Sequence, residues 1–191
     1  MAFWGAPTPN AQHACFCVRA AIDAQRAIHN LNEQRAAENL RREIDNESRI
    51  ATGLKPQPLL PLLLLGSGIN TGMATVGLMG SEAKTWNYTV FGREVNLASR
   101  LEGLSGRGRI FISKWTLDHL RRDDPNLAAT CVAQEPQKVK GIASAVEVFE
   151  VPWLQKAVTP KPGNESIGGL EERGSQPSAD GSSPPDGIRL I

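Results

Sequence analysis

A chain of 191 residues that is 40% hydrophobic can build one domain with a single core and still leave a tail. Its formal net charge of +1 excludes a global pull toward polyanions, so no nucleic-acid partner is expected. Three cysteines, Cys15, Cys17 and Cys131, are too few and odd in number for a disulfide framework, so reduced thiols in a cytoplasmic protein are expected.

In chain order, "MAFWG" (1–5) reads as the end of a strand. Pro7 and Pro9 mark a turn, and Asn10 is a helix-capping residue. Residues 11–50 predict a helix, because Ala14, Val18, Ala21, Ala24, Ile28 and Leu31 recur in steps of three and four. From Asn32 onward the segment is charged and is expected to be a solvated extension. Gly53 ends it, and "KPQP" (55–58) is a loop. "LLPLLLLG" (59–66) is the most apolar stretch and is expected to be a buried strand. It is far shorter than the ~20 residues of a membrane helix, and Pro61 interrupts it. No membrane segment is expected here; anchoring of a parent protein would need sequence outside this chain.

Strand signals continue to residue 70 and resume at 73–79, with "GINTG" (68–72) as the turn between them. A glycine-punctuated loop over 77–86 leads to a strand at 87–91 and a helix at 94–104. A turn at "GRGR" (106–109), a strand at 110–113 and a helix at 114–121 follow. Two more strands are expected at 128–140 and 145–152. The alternation predicts an α+β sandwich over 1–156. Residues 157–191 are rich in Pro, Gly and Ser and predict a disordered tail.

The chemistry is concentrated in "YTVFGREVNLASR" (88–100). Gly92 permits a tight exit from the strand. Asn96 and Arg100, four apart, share one helix face. An amide suits a ribose oxygen, and a guanidinium suits phosphate oxygens. By spacing alone, a surface helix with an incidental Asn and Arg is the favoured explanation of the pair. His13, His29 and His119 show no metal or triad spacing; His13 is expected at a helix start and the other two at the surface.

The blocks "MAFWGAP", "GINTGMATVGLMGS" (68–81), "YTVFGREVNLASRLEG" (88–103) and "VKG" (139–141) occur in an order that resembles the class III adenylate/guanylate cyclase catalytic domain. The resemblance spans residues 1–152 and implies a ferredoxin-like cyclase sandwich truncated at its N-terminal strands. It implies that Asn96 orients the ribose, Arg100 supports the α-phosphate, Lys140 meets the terminal phosphates and Thr89 helps read the purine. Thr89 tilts the substrate toward ATP over GTP. The family binds Mg²⁺ or Mn²⁺ through two aspartates that precede the "MAFWGAP" block, and this chain begins at that block. The family also assembles its sites between two protomers, so a homodimer or a full-length cyclase protomer is the expected protein partner. The expected function is a cyclase fragment of the ATP to cyclic AMP type, inactive alone. The alternative is a non-catalytic regulatory or dimerisation module that binds nucleotide or a full cyclase.

Overall fold

The computed structural model describes residues 1–80, 86–137 and 145–154, and the backbone of 189–190. Helix α1 spans His13–Ala51. Asn10 does engage its entry, since its side chain accepts from the Gln12 amide at 2.9 Å and its carbonyl accepts from His13 N. The helix buries Ala14, Cys15, Cys17, Val18, Ile22 and Gln25, and none of its residues beyond Gln25 is buried. Among the described residues no helix is long and apolar enough to cross a membrane.

The central sheet has strand order β1-β5-β7-β6, from β1 (Ser67–Ile69), β5 (Ile110–Ser113), β6 (Val132–Ala133) and β7 (Val148–Glu150). β1 runs parallel to β5, and β7 is antiparallel to both β5 and β6. All four residues of β5 are buried, as expected of a strand covered on both faces. Its pleat divides the core. Ile110 and Ile112 join Ile69, Val18 and Ile22 with Leu117 and Leu120. Phe111 packs on the other side with Val148, Leu97 and Leu101. Helices α1 and α3 (Lys114–Asp123) thus pack against one side and α2 (Arg93–Ser105) against the other, giving the expected α+β sandwich.

β1 lies against the α2 backbone. A Cβ on Gly68 would sit 2.0 Å from Glu102 N and 2.5 Å from Ala98 O, so only glycine fits. β3 (Thr75–Met79) and β4 (Asn87–Phe91) form a separate antiparallel hairpin. β2 (Gly72–Met73) pairs with β8 (Arg189–Leu190). The rest of the segment expected to be a disordered tail lies outside the described residues.

Three expectations need correction. Residues 1–4 are not a strand. Aromatic contacts hold them instead, with Phe3 against Tyr88 at 6.0 Å between ring centres and Trp4 against the core. Residues 59–66 are not a buried strand, because Leu59, Leu62, Leu63 and Leu64 are exposed. Pro58 and Pro61 have no N–H for a ladder, and side chains of α1 take up the backbone of this stretch instead. Residues 128–130 are helical, not extended. Helix α4 (Pro125–Thr130) starts with a proline in its first turn, and the Asp124 carboxylate accepts from Leu127 N at 3.1 Å, a start signal inside "DDPN".

All three cysteines are free thiols. Burial pushes Cys17 up to about 12 and Cys131 up to about 11, so both stay protonated near neutral pH. Two ion pairs tie the α3–α4 corner: Arg122 to Asp123 and Arg19 to Asp124, each at 2.7 Å. The hydrogen bond from Arg122 holds the Asp123 carboxyl below its ordinary range. Burial alone would raise Asp124, but the bonds from Arg19 and Leu127 N outweigh it and hold this carboxyl low too.

Gly68→Ala is expected to force β1 off α2 and destabilise the fold by about 1–3 kcal/mol, read by urea denaturation. The low folded-state pKa values mean that Asp123 and Asp124 contribute full stability above the unfolded carboxylate range near ~4. That contribution is lost as pH falls through the lower folded values. The thermal midpoint should therefore fall between pH 6 and pH 3, and fall less in Asp124→Asn.

Candidate active site

Strand β4 leads through Gly92 directly into α2. Gly92 has φ of 141°, a conformation side chains rarely adopt, and its carbonyl accepts from Asn96 N to open the helix. Leu97 and Leu101 are the buried anchors of α2, the latter with 0% exposure. They fix the rotation of the helix, and with it the face that carries Asn96 and Arg100, one turn or about 6 Å apart along the axis. Asn96 is exposed and Arg100 half-buried. Among the described residues no hydrogen bond or ion pair engages either side chain. An amide and a permanent cation are therefore both available to a ligand.

Thr89 is half-buried on β4, opposite Gly77 of β3. It belongs to the same strand–turn–helix unit as Asn96 and Arg100, so the structure presents these three on consecutive elements. Lys140 lies outside the described residues.

The start of α2 is held by a polar lock that spacing in the sequence did not disclose. Asn70, fully buried in the "GINTG" turn, donates to the Glu94 carboxylate at 2.8 Å and to the Glu94 carbonyl at 3.1 Å. Next to it, Thr71 shares a 3.0 Å hydroxyl contact with Thr116, whose hydroxyl also reaches Ile69 O. Ser113 caps α3 by accepting from Thr116 N. The only available signal was two hydrogen-bonding residues placed between glycines in a turn. A cleft of about 450 Å³ opens beside this lock, lined by Thr71, Met73, Arg93, Glu94, Trp115 and His119; Asn96 and Arg100 do not line it.

The histidines depart from expectation in part. His13 does begin α1 but is buried, and its ring packs at a tilt against His119, 5.1 Å between ring centres. His119 is therefore a packed, half-buried residue, whereas His29 is exposed.

Among the described residues no three His, Cys, Asp or Glu side chains converge on a point. Three carboxylates near the functional elements already have partners: Glu94 engages Asn70 and Arg93, and Asp123 and Asp124 engage arginines, while Glu102, exposed on α2, stands alone among the described residues. These residues do not fit a two-carboxylate metal site. The β3–β4 hairpin is strongly apolar on its exposed side chains, with Leu78, Met79, Tyr88 and Phe91 all open to solvent.

The family model for the adenylate and guanylate cyclase catalytic domain matches residues 1–152. Adenylate cyclase 1 of Rhizobium meliloti is 30% identical over 161 residues, 82% of this chain but 20% of the relative. The chain thus spans about a fifth of that protein. The crystal structure of the guanylyl cyclase Cya2 is 31% identical with a TM-score of 0.53, covering 78% of this chain and 62% of that one. The guanylate cyclase domain of RhGC from Catenaria anguillulae, solved with GTP, has a TM-score of 0.55 at 22% identity over 78% of this chain and 64% of its own, a likeness of fold. On the extent of the match and the order of its elements, the chain belongs to the class III adenylate and guanylate cyclase catalytic domain family.

Proposed function

We propose that this chain supplies the ribose- and phosphate-facing half of a nucleotide cyclase site, with ATP as the preferred substrate and cyclic AMP as the product. The observation that carries this reading is the pairing of Asn96 and Arg100 on one accessible face of a helix whose rotation is locked by Leu97 and Leu101. In cyclisation the ribose 3′-hydroxyl attacks the α-phosphorus and pyrophosphate leaves. Holding the ribose in line is a positioning task, which suits the Asn96 amide. Charge grows on the α-phosphate oxygens, and a fixed guanidinium at Arg100 stabilises that state more than the ground state. Lys140 would act in the same way at the departing phosphates. The preference for ATP rests on Thr89 and on the adenylate cyclases among the relatives, such as that of Anabaena cylindrica at 29% identity.

The family uses Mg²⁺ or Mn²⁺, and the described side chains offer no site for it. No metal-dependent step is therefore assigned to this chain, and we place the metal half of the site on a partner protomer. The β3–β4 hairpin supports such pairing, because exposed Leu78 and Tyr88 on one of its faces, and Met79 and Phe91 on the other, are apolar side chains that a second protomer would shield from water. The same hairpin also serves a purely regulatory dimerisation module, the competing reading.

The purified chain with ATP and Mg²⁺ or Mn²⁺ should form no cyclic AMP; sustained turnover by the chain alone would refute its dependence on a partner. Mixed with a cyclase whose own Asn/Arg half is disabled, it should restore activity. Arg100→Ala should cut the restored rate by about 10²–10³-fold, the usual loss on removing one transition-state donor. Silence or inhibition in the mixture, with folded protein, would instead favour the regulatory reading.

A further inference from the structure

The second half of α1 carries a repeat that the cyclase reading does not use. Asn32-x-x-Arg35, Asn39-x-x-Arg42 and Asn46-x-x-Arg49 recur every seven residues on one helix face. Each asparagine makes a two-bond clasp with one residue of the returning strap at 55–65. Asn32 donates to Leu63 O at 2.7 Å and accepts from Leu63 N at 2.8 Å. Asn39 does the same with Leu60 at 2.9 and 2.7 Å. Asn46 does so with Gln57 at 2.9 and 2.6 Å. The arginines bond the intervening carbonyls: Arg35 to Pro61, Arg42 to Pro58 and Arg49 to Lys55. Gln25, one heptad before Asn32 and 2% exposed, closes the series on Leu65 O at 2.7 Å.

The two periods match physically. Seven helical residues rise about 10.5 Å, and three residues of polyproline II rise about 9.3 Å. The prolines respect this register. Pro56, Pro58 and Pro61 avoid positions 57, 60 and 63, where an N–H is required. Every bond from these asparagines, from the three arginines and from Gln25 to the strap ends on its main chain; beside them, the Gln57 side chain donates to the Asp45 carboxylate at 2.9 Å. Leu59, Leu62 and Leu64 point their side chains into solvent, being 47%, 56% and 60% exposed. Known polyproline II grooves use aromatic walls to grip side chains. This surface uses amides and guanidinia to grip backbone.

We propose that the Asn-x-x-Arg repeat is a binding site for extended main chain of the polyproline II class, indifferent to the apolar side chains it carries. Residues 55–65 fill it in cis, and the same peptide fills it in trans when the strap is removed. The site is independent of the nucleotide-facing residues and of the assignment of substrate.

The test uses the full 191-residue chain with residues 55–64 replaced by a Gly-Ser run of equal length. A labelled peptide of sequence KPQPLLPLLLL is titrated against it by fluorescence anisotropy. A second peptide carries Leu59→Gln, Leu62→Gln and Leu64→Gln, and a third carries Gln57→Pro, Leu60→Pro and Leu63→Pro. The first two should bind within about threefold of each other, and the third at least about tenfold more weakly, as the loss of three hydrogen bonds requires. Host variants Asn39→Ala and Asn46→Ala should also bind more weakly. Loss of binding by the Gln peptide, equal binding by the Pro peptide, or no binding of any peptide to a folded host overturns the proposal. Should the Gly-Ser host not fold, hydrogen exchange on the intact chain decides. The amides of Gln57, Leu60 and Leu63 should stay protected when the three leucines become glutamine, and the Leu60 amide should lose protection in Asn39→Ala. The reverse pattern overturns the proposal.

Discussion

The closeness of β1 to α2 is the constraint on which the site depends. With no side chain at Gly68, a strand backbone can rest directly on a helix backbone. That contact sets α2 against the sheet at a fixed depth. Leu97 and Leu101 then fix its rotation, and the Asn70–Glu94 bonds fix its beginning. Depth, rotation and origin together decide where Asn96 and Arg100 point. A site that works by positioning needs such over-determination, since a displacement of an ångström in either group would spoil an in-line geometry.

The same logic separates two kinds of contribution to a cyclase. Orienting a ribose and screening a phosphate need only rigid, neutral or cationic side chains, and Asn96 and Arg100 offer that chemistry on one short unit. Activating a hydroxyl and neutralising pyrophosphate need a concentrated positive charge held by carboxylates. Glu94, Asp123 and Asp124 are instead spent on structure, at the start of α2 and at the corner between α3 and α4. Under the proposed function the chain would supply geometry, and a partner protomer would supply the complementary chemistry.

How much of this was legible beforehand depended on the range of the physics involved. Strands β4 and β5 and helix α2 were readable to within a residue, because their signals are local: β-branched and aromatic runs, glycine at the exit, leucines four apart. Helix α1 was readable for the same reason. Its outer half is the charged, unburied extension expected, but its asparagines and arginines look like solubility alone until their partner is known. The partner, in turn, looked like a core strand because leucine usually follows burial. Its backbone was already claimed by side chains up to 40 residues away, which no local pattern reveals. The Asn70–Glu94 lock was hidden likewise by 24 residues of separation. The helical start at Pro125 was written in the sequence and overlooked in favour of β-propensity further along.

The paired periods of α1 and its strap carry a consequence for how this protein can change over time. An insertion or deletion in most surface loops needs only room. Here a change in the helix must be answered by a change in the strap, or every clasp beyond it falls out of phase. The arm can be lengthened or trimmed in phase only in blocks of about ten residues, seven helical and three extended. Such a block leaves the Leu65 carbonyl, shared by Gln25 and Gly108 N at the base, where it was. Length variation among close relatives of this arm should therefore be quantised.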